Sequence, residues 1–307
     1  MRTSWKAVSV LAVGLAALLV IPVMNTTIGT GAQDSSCRPT SNHQRPVLLL
    51  HGTGGSHSEW DSLSAALKVQ GYCVFAPNYG GSASSLFGII PGKFGTDNIE
   101  KSAEHVAEYT HQILTSTGAT QIDIVGHSQG GTLARQFMRF NGGTNQDNPE
   151  ENIVHSLITL GATNHGTTVN GLAALVAGKP VVETLSSLVA SPAAVEQLAG
   201  SSFIRRLNEA GDTDPGVIYT SIATKYDNVS TPPEATFLNA GPNSVVNNMF
   251  VQDFCPTNKA DHKTMLSDRT VEYLVQEALA EVREMGHPVP CPSTHVQLPM
   301  GEHPDFS

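Results

Sequence analysis

The chain has 307 residues, with 17 Lys and Arg against 27 Asp and Glu, for a net charge of −10 near neutrality. A field of that sign repels polyanions, so nucleic acid is excluded as a first partner. Charged residues make up only 14%, and no run beyond the N-terminus reaches membrane-spanning length, which excludes disordered, coiled-coil and polytopic membrane classes. In chain order, Arg2 and Lys6 precede an almost wholly apolar run over residues 7–24, followed by Thr30-Gly31-Ala32. That layout predicts a secretory signal peptide over residues 1–32; the alternative is an uncleaved anchor, but Pro22 interrupts the run. Residues 33–307 read as one domain, since a chain of that length buries roughly three quarters of its unfolded surface unaided. Either reading exports the chain, so Cys37, Cys73, Cys255 and Cys291 face an oxidising compartment. Three pairings are possible and the adjacent one, 37 with 73 and 255 with 291, is expected.

From residue 46 onward, short apolar runs alternate with amphipathic stretches, the pattern of a mostly parallel sheet flanked by helices. Strands are predicted over residues 47–51, 73–76, 122–126, 153–160, 217–223 and 246–251. Helices are predicted over residues 59–70, from Ile99 to Gly118, over residues 132–140, and along Leu266, Val271, Leu274, Val275, Ala278 and Val282. Residues 79–95, rich in Gly and Ser, read as a long loop, and residues 286–307 as an extended tail. An insertion over residues 164–215 stands apart: between Thr163 and Ile204 the only charged residues are Lys179, Glu183 and Glu196. Its short apolar segments are either a helical cap over a site or ordinary packing helices, and periodicity does not separate the two.

Chemistry concentrates at Gly126-His127-Ser128-Gln129-Gly130, a G-x-S-x-G motif after a predicted strand and before a predicted helix. A hydroxyl raised on so sharp a turn forces strained torsions, and side chains at 126 and 130 would collide as strand and helix close up. The turn also aims the positive end of the helix at the serine. His51-Gly52-Thr53-Gly54-Gly55 follows the first strand; its glycines let backbone approach a reacting carbonyl, so the N–H groups of Thr53 and Gln129 are the expected oxyanion donors. A serine needs a histidine to take its proton and a carboxylate to fix that histidine's tautomer, in the order Ser, acid, His for such a sheet. Asp227, just past the strand over 217–223, is the expected acid, with Asp253 in reserve. His262 is the expected base, because His51 and His165 break the order and His287, His295 and His303 lie in the tail.

These residues resemble the secreted lipases and esterases of the α/β-hydrolase fold, in particular the bacterial triacylglycerol lipases of the class 2 type. The resemblance runs from Arg45 to about Glu284. It rests on the run from Pro46 to Thr53, on Gly71-Tyr72-Cys73-Val74-Phe75-Ala76 through Asn78-Tyr79-Gly80, on Gly126 through Gly131, and on His165-Gly166-Thr167. Carried over position by position, it implies Ser128 as nucleophile, Asp227 as acid, His262 as base and Thr53 and Gln129 as oxyanion donors. It also implies a linked Cys37 and Cys73, and a structural place for His165 below the site. It does not extend to a lid in the apolar insertion.

The expected protein is therefore an α/β-hydrolase: a secreted, monomeric serine hydrolase of lipid esters that meets a lipid interface transiently and needs no cofactor or metal. A secreted acyltransferase or polyester hydrolase with the same three residues is the enzymatic rival. A non-catalytic binding protein on a hydrolase scaffold is the rival outside enzymes.

Overall fold

The computed structural model describes residues 36–81, 88–168, 170–171, 191–280 and 289–291. The expected signal peptide, residues 172–190 of the insertion and nearly all of the expected tail lie outside them. The described strands are β1 (Val47–Leu50), β2 (Val74–Phe75), β3 (Ile122–His127), β4 (Val154–Leu160), β5 (Ile218–Ala223) and β6 (Val245–Phe250). The described helices are α1 (Asp61–Val69), α2 (Ile99–Thr117), α3 (Gln129–Phe140), α4 (Pro192–Glu196), α5 (Ser202–Asn208), α6 (Val251–Phe254) and α7 (Arg269–Leu279). None of these is long and apolar enough to cross a membrane.

The strands form one sheet of order β2-β1-β3-β4-β5-β6, and every neighbouring pair is parallel. All four residues of β1 are buried because both faces of the sheet are covered. Leu48 and Leu50 join Ile122, Ile124, Ile99, Val106 and Phe137 on the α2 and α3 side. Val47 and Leu49 point the other way, into a core with Leu63, Leu67, Val271 and Val275. That split is the two-residue period of a strand.

Chain order reverses across the sheet: β2 lies to one side of β1 and β3 to the other. The crevice beyond the carboxyl ends of such a pair is where α/β sheets hold ligands. Leu50 is level with Gly126 across β1 and β3, so His51-Gly52-Thr53 and Ser128 leave the sheet side by side.

Helix limits follow local chemistry. The Asn98 side chain caps α2 by accepting from Lys101 N, and Gly118 closes it at φ 76°, a left-handed torsion that glycine adopts freely. α3 starts at Gln129, three residues before the sequence expectation, despite its two glycines. Tertiary packing outweighs their poor propensity, since a Cβ on Gly131 would stand 2.7 Å from Ala162 Cβ. α7 starts at Arg269, where Asp268 accepts from Thr270 and Val271 N, so Leu266 falls in the preceding 3₁₀ turn instead. β6 ends at Phe250, and Val251 opens α6.

Disulfides join Cys37 to Cys73 and Cys255 to Cys291, each spanning 36 residues of sequence. Within the insertion, α4 and α5 bury Ala193, Phe203, Ile204 and Leu207 in the same core as α2 and α3, as packing helices do.

Candidate active site

Ser128 stands between β3 and α3 at φ 53° and ψ −125°. Among the described non-glycine residues only it and Asn243 have positive φ, and such a torsion costs about 1–3 kcal/mol. The flanking glycines make the turn sterically possible. A Cβ on Gly126 would lie 2.6 Å from the Gly130 carbonyl carbon, and one on Gly130 would lie 2.1 Å from Leu50 O. Both contacts are with backbone, which cannot step aside. Gln129 is the first residue of α3, so its N–H has no partner within the helix and belongs to the helix's positive end.

Asp227 follows β5 in a tight turn whose N–H groups hold it: Val229 N and Ser230 N both donate to Oδ1 at 2.8 Å. Its Oδ2 lies 2.9 Å from His262 Nδ1, and neither side chain is exposed. A carboxylate only accepts, so Nδ1 carries the ring proton and Nε2 presents a lone pair. His262 Nε2 and Ser128 Oγ are both buried without a hydrogen bond, so the two are not bonded to each other. Bonds of this type are often open in an unliganded site. The His262 ring nonetheless packs 4.7 Å, centroid to centroid, from that of His127, the residue before Ser128. Asp253, the reserve acid, does not meet His262; it accepts from Phe250 N at 2.9 Å and pairs with Lys225.

The turn after β1 presses on the serine, for a Cβ on Gly52 would stand 3.1 Å from Ser128 Cβ. Its shape is pinned by Gly54 N donating to Phe94 O and Gly55 N to Gly52 O. His51 braces it from beneath. Its Nδ1 lies 2.9 Å from Gly52 O, its ring stacks on Tyr79 at 4.2 Å, and burial drives its pKa down to about 4, so the ring is neutral. The Tyr79 hydroxyl donates to His51 O and reaches the Gln129 side chain. Thr53, half-buried at the rim, accepts at Oγ1 from Gln197 Nε2 at 2.8 Å. Gln197 also donates to Ala193 O and accepts from Thr163 Oγ1.

Sequence reasoning missed Gln197. It is the uncharged neighbour of Glu196 in the insertion, and its partner Thr53 lies 144 residues away, so no local pattern marks it. His165 follows β4 in a structural segment: its Nε2 pairs with Asp212 at 3.0 Å and its Nδ1 with Ala235 O, while Arg135, in the second turn of α3, donates to Asp212 O and to the neighbouring Asn164 O. His287, His295 and His303 lie outside the described residues. Among the described residues no group of three or more His, Cys, Asp or Glu could hold a metal ion.

The arrangement combines a strained hydroxyl at a helix N-terminus with an imidazole whose tautomer a carboxylate has fixed. Such a set can take a proton from an alcohol and steady negative charge on a carbonyl oxygen. Residues 45–204 match the family model described as alpha/beta hydrolase fold. A triacylglycerol lipase of Pseudarthrobacter phenanthrenivorans is 30% identical over 96 residues, 29% of this chain and 27% of that protein. One from Pseudomonas fragi is 28% identical over 130 residues, 41% of this chain and 36% of that protein. The chain thus spans between a quarter and two fifths of the length of these curated relatives. Among solved structures, lipase B of Aspergillus fumigatus matches with a TM-score of 0.60 at 18% identity, over 85% of this chain and 61% of that one. The mature form of Bacillus licheniformis lipase BlEst2 matches at 0.54 and 15% identity, over 82% and 96%. At these identities the likeness is one of fold.

Proposed function

The chain belongs to the alpha/beta hydrolase fold family, and from that premise we propose that it is an exported serine hydrolase of carboxylic esters, acting on lipids through an acyl-enzyme. The observation that carries this reading is the hydrogen bond from His262 Nδ1 to Asp227, which leaves Nε2 as the proton acceptor beside a strained Ser128. The Ser128 hydroxyl attacks the ester carbonyl carbon as its proton passes to His262 Nε2. Backbone N–H groups of Thr53 and Gln129 stabilise the tetrahedral oxyanion, each worth on the order of 3 kcal/mol in the barrier. His262 then gives the proton to the departing alcohol, and water repeats the sequence on the acyl-enzyme.

Other features support the same reading. The curated relatives carry the name triacylglycerol lipase. Two disulfides suit an oxidising compartment and the leader expected over residues 1–32. The apolar composition of residues 164–204 suits substrates with medium and long acyl chains and transient contact at a lipid surface. The protein works as a monomer, without cofactor.

The test is turnover by the purified protein on a chain-length series of p-nitrophenyl esters and on triolein. Ser128→Ala is expected to lose at least ~10³-fold in kcat, and a fluorophosphonate probe to label Ser128. Equal rates for wild type and variant would overturn the mechanism.

A further inference from the structure

The motif around Ser128 leaves position 127 unspecified, yet His127 is only 4% exposed and is engaged at one nitrogen. Its Nε2 lies 2.8 Å from the main-chain carbonyl oxygen of His262, a partner 135 residues away. A carbonyl only accepts, so Nε2 carries the proton and Nδ1 is a bare lone pair. That Nδ1 is buried and has no hydrogen-bond partner, and Gly52 lies so close that a Cβ there would stand 3.1 Å from it. A second N–H on this ring would find no acceptor. Burial first, and the neighbouring His262 second, hold the ring well below the ordinary histidine range.

From this geometry we infer that His127 is a positioning residue for the base, its Nε2–H holding the His262 carbonyl and so fixing where the His262 backbone stands relative to Ser128. The inference rests on the proton transfer between Ser128 and His262 proposed above. Asp227 sets the rotation of the His262 ring, whereas His127 sets the place of its main chain. Because His127 and Ser128 are consecutive, nucleophile and base hang from adjacent residues of one backbone. The distance between them then cannot drift with the loop that carries His262. Neutrality matters as well, since a second cation 4.7 Å from the His262 ring would oppose the imidazolium that forms on attack.

The experiment compares His127→Leu with His127→Gln in the full-length chain. The Gln amide nitrogen stands as many bonds from Cα as His Nε2 does and still donates. For a soluble p-nitrophenyl ester, His127→Leu is expected to lower kcat by on the order of 10- to 100-fold. KM should stay within about twofold, and His127→Gln should recover most of the loss. A kcat for His127→Leu within about twofold of wild type, or equal losses in both variants, overturns the inference. Should His127→Leu fail to fold, ring-nitrogen NMR of the wild-type chain decides. An Nε2–H tautomer that does not titrate from about pH 5 to 8 supports the inference, and an Nδ1–H tautomer or a titrating ring overturns it. An inactive wild type sinks the hydrolase reading and this inference together; an active wild type with the wrong tautomer sinks the inference alone.

Discussion

His262 and Asp227 meet at 2.9 Å, Nδ1–H to Oδ2, with both side chains wholly shielded from solvent. In Asp227→Asn an amide replaces the acceptor and can stabilise the wrong ring tautomer. The expected loss in kcat is on the order of 10⁴. Asp253→Asn disturbs only a cap and an exposed ion pair, so its rate should stay within about twofold of wild type. Steady-state kinetics on a soluble ester checks both, and the reverse ranking would move the acid to Asp253.

Gly161 seals the other side of that pair. Its φ is 54°, and a Cβ there would stand 2.8 Å from Asp227 Oδ2 and 3.2 Å from His262 Nδ1. Gly161→Ala is expected to cost about 1–3 kcal/mol in stability through the torsion. Displacement of the dyad should lower kcat at least ~10-fold. Thermal denaturation and kinetics measure the two effects separately, and an unchanged kcat would mean that the pair tolerates displacement.

Two histidines give stability opposite pH dependence. Burial lowers His51 to about 4 in the folded chain, so the unfolded chain binds that proton more readily. Stability should therefore fall by about 3 kcal/mol as pH drops from about 6.5 to about 4. The hydrogen bond to Asp212 raises His165 above its ordinary value against partial burial, and Asp212 stays ionised in acid because the bonds from His165 and Asn239 override its own burial. The contribution of His165 is therefore full below about pH 6.5 and lost as pH rises through its raised value. Melting temperatures of wild type and His165→Gln across that range should differ most in acid, and a gap widening toward alkali would contradict the sign.

Gln197 ties the insertion to the turn after β1 through Thr53 Oγ1, and its own carbonyl is occupied by Thr163. Gln197→Leu removes one partner from each threonine, Thr163 keeping its bond to Thr132, and also the bond to Ala193 O; it should cost about 1–3 kcal/mol in denaturant unfolding. If Thr53 N–H serves the oxyanion, kcat should also fall about 10-fold or more, as the turn loses its lateral support. A variant that loses stability but keeps its full rate would separate Gln197 from the chemistry.

Much of the fold is legible from residue order because its causes are local. The buried strands announce themselves as short apolar runs, and α2 by steps of three and four ending at Gly118. The turn at Ser128 is written into Gly126 and Gly130, since the collisions they avoid lie within a few residues of one another. Helix starts were less legible. Gly130 and Gly131 argue against a helix by propensity, and only the close approach of α3 to β1 and β4 shows why glycine is required there.

Sequence by itself determined the parallel α/β architecture, the strained serine and the expected set Ser128, Asp227 and His262, because spacing, steric crowding and strand ends are properties of short stretches. Tertiary structure decided which acid meets His262, that His165 pairs with Asp212, and that His127 and Gln197 grip partners 135 and 144 residues away. Those choices depend on which loops a parallel sheet delivers to one edge, and a hydrogen bond across such a distance leaves no period or motif in the chain.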